Sequence, residues 1–104
     1  MTSLVADGSL GAWLRRLPTY LYLVDLLAGR RVLEVGCGDG RLTRRYADRA
    51  GSVLAIDPDP AAIATFDDEI PSALRRHVDM RTGTIMTLGE PDASFDVVLF
   101  AWSL

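Results

Sequence analysis

Apolar residues along this chain follow two rhythms. Over 9–28 they recur at three- and four-residue steps: Leu10, Trp13, Leu14, Leu17, Leu21, Val24 and Leu27. That period predicts a helical N-terminal segment within residues 1–29. Pro18 breaks or kinks it, or begins a second helix, and Gly29 is a C-terminal stop. Past Arg30 the apolar residues gather into short unbroken runs, which predict strands at 32–35, 53–56, about 77–81 and about 95–101. A helix is predicted over about 41–50, burying Leu42, Tyr46 and Ala50 and ended by Gly51. A second begins at Pro60 under an Asp59 cap, buries Ile63, Phe66 and Ile70, and stops at Pro71. Strands alternating with helices make residues 30–104 an α/β core with a mostly parallel sheet, in a single domain of 104 residues.

The junction after the first of these strands carries the most chemistry. Val32-Leu33-Glu34-Val35-Gly36-Cys37-Gly38-Asp39-Gly40 is an apolar strand with an acid near its end that runs into three glycines at alternate positions. Glycine reaches positive φ, and the lack of a side chain at Gly36 and Gly38 lets backbone approach a bulky ligand. The following helix aims its unpaired N–H groups at the same place, so strand, turn and helix read as half of a nucleotide-binding βαβ unit. The dinucleotide fingerprint G-x-G-x-x-G does not fit, because Arg41 stands where its third glycine belongs. The next strand ends at Asp57, about 20 residues beyond the glycines, the distance at which a βαβ fold returns a carboxylate to a ribose. An ionised Asp57 only accepts, so it suits a pair of hydroxyls.

An acidic residue followed by G-x-G-x-G, the Asp57-Pro58 strand end, and Asp92-Ala93-Ser94-Phe95-Asp96-Val97-Val98 together resemble the class I S-adenosylmethionine-dependent methyltransferases, closest to the small-molecule type 11 or 25. The likeness runs from Arg31 to Leu104. It implies a Rossmann-like three-layer sandwich with strand order 3-2-1-4, counting the predicted strands along the chain. The resemblance places Glu34 toward the methionine end of S-adenosyl-L-methionine. Gly36, Cys37, Gly38 and Gly40 form the loop, Asp57 meets the ribose, and Pro58 packs on the adenine. Aligning Gly83 with the family's glycine after strand three puts Thr84 where an adenine-binding Asp is common, with Ile85 offering its N–H and packing on the ring. Phe100 and Trp102, at the C-terminal end of strand four, either wall a pocket or pack in the core. Asp39 either caps the helix or borders the ligand. Methyl transfer from a sulfonium is in-line displacement at an activated carbon, so no catalytic residue is forced on the chain.

Composition narrows the partners. The net charge is −3, and all eleven basic residues are Arg, spread as four adjacent pairs and three single residues. This argues against a nucleic-acid backbone, while a small-molecule acceptor is what the resemblance implies. Cys37 is the sole cysteine, so no internal disulfide forms, and no Cys/His cluster suggests a metal. His77, the only histidine, falls at the wrong edge of the sheet for a base. The run 20–27 is short and contains Asp25, so no membrane span is expected, and the start lacks the pattern of a secretory signal. A cytoplasmic location follows by default.

Strand four is apolar without alternation and needs cover on both faces. The resembling family continues its sheet beyond this strand, so the chain is read as the cofactor-binding portion, truncated after strand four. The strand-four edge is then expected to be open, and open edges pair. Three explanations compete: a fragment, a homo-oligomer joined at that edge, or a completing partner chain. The alternative function is an inactive cofactor-binding or interaction remnant. A nucleotide-dependent oxidoreductase is disfavoured by Arg41.

Overall fold

The computed structural model of the protein describes residues 2–6, 25–89 and 94–101. Five strands form one sheet: β1 (Thr2–Ala6), β2 (Arg31–Val35), β3 (Ser52–Asp57), β4 (Val78–Thr82) and β5 (Val97–Ala101). Every pair is parallel, and the order is β4-β3-β2-β5-β1. Strands β2 to β5 are the four predicted ones, and their order is the expected 3-2-1-4. Register sets Glu34 beside both Ala55 and Leu99, and Val35 beside Ile56 and Phe100. The C-terminal ends of the three central strands therefore come level.

The sheet is buried on both sides, as unbroken apolar runs in parallel strands require. On one face Val32, Val53, Ala55 and Leu99 pack with Leu27, Tyr46 and Phe66. On the other, Leu33, Leu54, Ile56 and Val98 form a second cluster joined by Leu88 and Phe95.

Helix α1 (Thr43–Tyr46) follows β2 and helix α2 (Pro60–Glu69) follows β3. The Asp59 side chain accepts the Ala61 N–H at 2.9 Å, and Pro60 takes the first helical position, where its missing N–H costs nothing. Ile70 swings to an extended conformation ahead of Pro71 and ends the helix, as the residue before a proline is forced to. Helix α1 is shorter than the predicted 41–50. Its flanks close through three-residue steps, Arg45 N–H to the Leu42 carbonyl and Arg49 N–H to the Tyr46 carbonyl, both 2.9 Å. Gly29 donates to the Arg49 carbonyl at 2.8 Å, and Ala28 bridges Ala50, so the last turn is drawn into contact with the entry to β2. Leu42, Tyr46 and Ala50 are nonetheless all buried, as expected.

Two differences concern the N-terminal segment. Residues 25–27 are helical and Gly29 turns the chain at φ 69°, but the rest of the predicted helix, with Trp13, lies outside the described residues. Thr2–Ala6 is a strand rather than part of a helical segment, and it occupies the edge expected to be open. Its register runs from Thr2 beside Val97 to Ala6 beside Ala101. The expectation of an open strand-four edge is therefore corrected: β1 takes the pairing positions within the same chain. A short apolar run gives no local sign of which distant strand it pairs with.

One ion pair fastens the start of β2 to the start of β5. Arg31 grips Asp96 with Nη2 to Oδ1 at 3.0 Å and Nε to Oδ2 at 3.3 Å. The Arg31 backbone N–H also donates to Asp96 Oδ2, at 2.9 Å, and the Asp96 N–H returns to the Arg31 carbonyl at 2.8 Å. These donors hold the Asp96 carboxyl at about 2, below its ordinary range. A depressed value gives stability that is present above about pH 4 and lost as pH falls towards 2. Asp96→Asn should therefore flatten the acid limb of stability between those values. Denaturant midpoints measured from pH 5 to pH 2 check this, and a parent and variant with the same slope would refute it.

Candidate functional site

The glycine turn is shaped first by the protein itself. Gly36 has φ 82°, and a Cβ placed on it would stand 2.0 Å from the carbonyl oxygen of Ala101 on β5. Gly40, at φ 86°, would put a Cβ 2.6 Å from the buried Phe66 ring of α2. The nearest obstacle to a side chain at Gly36 is thus the neighbouring strand's backbone. A residue with a side chain would be both strained and displaced at either position. The Gly36 and Cys37 N–H groups donate to the Ile56 carbonyl at 2.8 and 3.0 Å, which carries the β2–β3 pairing into the turn.

Asp57 ties that turn to the next loop. Its Oδ2 accepts the Gly38 N–H and its Oδ1 the Asp59 N–H, each at 2.9 Å. Each oxygen keeps further accepting capacity, because a carboxylate offers about four lone-pair sites. Asp57 borders two hollows. One, of about 350 Å³, has Gly36, Asp57, Pro58, Thr84, Ile85 and Phe100 in its wall, completed by Val35, Gly83 and Ala101. Six of the residues picked from sequence thus come together in one cleft at the C-terminal ends of the strands. Its volume is in the range of small-ligand sites, and parallel sheets bind ligands at this end. The other hollow, about 420 Å³, includes Gly38, Asp39, Arg41 and Asp59 beside Asp57.

Three of the picked residues line neither hollow. Gly40 sits under Phe66, and Cys37 is buried in the core cluster, where burial first and the Glu34 charge second push its thiol up, away from reactivity. Glu34 is fully buried beneath the turn. Its Oε1 accepts from the Tyr46 hydroxyl at 2.6 Å and the Thr43 hydroxyl at 3.0 Å, while Oε2 is buried with no partner. Burial raises the Glu34 carboxyl to about 7 against the opposing effect of these two donors. The sequence places Tyr46 in a buried stripe but does not single out Thr43 or Tyr46 as partners of Glu34. A tyrosine in the buried stripe of a helix needs a hydroxyl partner, and that requirement was the available signal. Asp39 does not cap α1, which has no side-chain cap; it ion-pairs with Arg41 at 3.4 Å instead. Trp102 lies outside the described residues. Among the described residues no group of three or more His, Cys, Asp and Glu forms a metal site, and no helix is long and apolar enough to cross a membrane.

Residues 32–104 match the family model described as a methyltransferase domain. A probable S-adenosylmethionine-dependent methyltransferase of Mycolicibacterium smegmatis is 41% identical over 88 residues, covering 84% of this chain and 32% of that protein. A ubiquinone biosynthesis O-methyltransferase of Azorhizobium caulinodans is 37% identical over 73 residues, covering 70% and 28%. Among solved structures, an RNA methyltransferase from Salinibacter ruber in complex with S-adenosyl-L-homocysteine superposes with a TM-score of 0.65 at 22% identity, covering 83% of this chain and 56% of that one. That identity speaks for the fold alone. The chain spans about a third of the length of the curated relatives it matches.

The buried carboxyl makes a measurable demand on stability. A folded-state value of about 7 lies above the ordinary 4.5, so the stability Glu34 contributes is fullest below about pH 4.5 and is lost as pH rises through 7. The loss amounts to roughly 3 kcal/mol. Glu34→Gln, which can keep an acceptor for Thr43 and Tyr46, should hold its urea midpoint level from pH 5 to pH 8 while the parent's falls. An equal fall in both would place the pH dependence elsewhere.

Proposed function

Because this chain belongs to the class I S-adenosylmethionine-dependent methyltransferases, we propose that it carries the cofactor-binding portion of an enzyme that methylates a small-molecule acceptor. The observation that supports this most is the cleft: a two-oxygen acceptor at Asp57, apolar residues at Pro58, Ile85 and Phe100, and the Gly36 backbone surround one space of about 350 Å³.

These residues suit S-adenosyl-L-methionine. Asp57 has spare lone pairs for two ribose hydroxyls. Pro58 and Ile85 give apolar surface to a flat base, and Thr84 supplies a hydroxyl at its edge. Below the turn, the unpartnered Glu34 Oε2 is an acceptor left over by the protein's own bonding, and a cation nearby would favour its charged form. When bound, the cofactor supplies an electrophilic methyl group on sulfur. The chain's residues bind and orient: Asp57 fixes the ribose and, through Gly38, the turn beside it. Positioning of this kind accounts for much of the barrier in transfer reactions. No residue is assigned as acid or base.

The small-molecule acceptor is supported by the net charge of −3 and by the relative named for ubiquinone biosynthesis. Gly38, Cys37 and Gly40 belong to the same proposal as supports of the turn rather than walls of the cleft. A cytoplasmic location completes it.

Titration calorimetry with S-adenosyl-L-homocysteine tests the reading. The parent chain should bind in the micromolar range. Asp57→Ala should weaken binding by roughly 10- to 100-fold, the loss of hydrogen bonds to a charged acceptor. Circular dichroism on the same samples confirms folding, since Asp57 also holds Gly38 and Asp59. Undiminished binding by a folded Asp57→Ala would sink the site assignment.

A further inference from the structure

The loop after β4 is held in shape by a side chain that lies outside the cleft wall. Gly83 begins it, its N–H donating to the Asp57 carbonyl at 2.9 Å, so the loop starts fastened to the end of β3. A tight turn follows, with the Thr87 N–H donating to the Thr84 carbonyl at 3.0 Å. The Thr87 hydroxyl then closes this turn twice. It accepts the Thr84 N–H at 2.9 Å and donates to the Thr84 carbonyl at 3.1 Å. The two threonine hydroxyls are themselves 3.5 Å apart. A Cβ at Gly83 would meet the Thr87 hydroxyl at 3.0 Å, so the side chain is seated against the loop's own backbone.

Apolar packing anchors this loop at Leu88, which joins the second cluster, but gives the tip at Ile85 and Met86 little help. Ile85 is 47% exposed and Met86 90% exposed, so neither anchors the turn in the core. Hydrogen bonds therefore decide where Thr84 and Ile85 stand, and both are in the cleft wall. Side-chain hydroxyls that bond backbone three residues away are an established way of fixing such turns.

We propose that Thr87 is a positioning residue for base recognition: through its two bonds to the Thr84 backbone it holds Thr84 and Ile85 where they meet the purine of the bound nucleoside. The inference rests on the cofactor reading of the cleft. It assigns Thr87 no contact with the ligand, and the consequence is selectivity for the base edge. A loop free to move would bind purines less tightly and distinguish them less well.

The test compares the parent chain with Thr87→Val, which keeps the shape and removes the hydroxyl, and Thr87→Ser, which restores it. Each is titrated with S-adenosyl-L-homocysteine and with its hypoxanthine counterpart, S-inosyl-L-homocysteine, and its thermal melt is recorded. Thr87→Val should bind the adenine ligand about tenfold more weakly, the effect of losing two neutral hydrogen bonds that order a loop. The preference for adenine over hypoxanthine should shrink, Thr87→Ser should recover most of both, and the melt should move little because Thr87 is exposed. Thr87→Ala repeats the test without a β-branched side chain. If the folded parent binds neither ligand, the cofactor reading fails. If the parent binds and Thr87→Val matches it within twofold with the same preference, the role of Thr87 alone is overturned. A lowered melt with unchanged preference would likewise reduce Thr87 to a structural residue.

Discussion

The carbonyl of Ala101 stands where a side chain at position 36 would begin, 2.0 Å from the place a Cβ would take. That exclusion fixes how β2 leaves the sheet. Gly36 must turn at positive φ beside β5, and Gly40 must then pass under the Phe66 ring of α2. Between these two close approaches the N–H of Gly38 comes to Asp57 Oδ2. The site is thus an outcome of packing before it is an outcome of ligand chemistry. A turn pressed against a neighbouring strand keeps its shape whether or not anything binds.

Electrostatics divides the acids around that turn by burial. Asp57, partly exposed, accepts two backbone N–H groups and keeps capacity towards the cleft. Glu34, closed off beneath, accepts two hydroxyls on one oxygen and none on the other, so its charge is costly and its carboxyl rises to about 7. Asp96, at the far end of the same strands, is exposed and gripped by Arg31, so it falls to about 2. Identical functional groups thus meet opposite demands within one sheet. The buried, half-satisfied acid lies next to the proposed cofactor site, and the one gripped by Arg31 is a fastening.

The cleft draws on two loops of different character. The glycine turn runs close against β5 and α2 and is hydrogen-bonded to β3. The loop after β4 is anchored by Leu88 but exposes Ile85 and Met86 at its tip, where the Thr87 hydroxyl bonds the Thr84 backbone. The side of the cleft by Gly36 and Asp57 is therefore built into the core, while the side by Thr84 and Ile85 rests on a few hydrogen bonds at the surface.

Local signals carried much of this in the sequence. The apolar runs of β2, β3 and β5 had to be buried on both faces, and they are. Asp59-Pro60 started α2 and Pro71 stopped it, because capping and the geometry of proline act within a few residues. Six cleft residues were also identified by spacing and resemblance, from Gly36 and Asp57 to Phe100. Tertiary structure decided what depends on partners distant in sequence. Thr2–Ala6 became the strand beside β5, an assignment that no local pattern encodes because strand pairing is a contact between the two ends of the chain. Glu34 was drawn into a pocket with Thr43 and Tyr46, since burial and hydrogen bonding depend on which helix face meets which strand. Gly36 was recognised from sequence as a turn residue, but only packing showed that the atom excluding a side chain there belongs to Ala101.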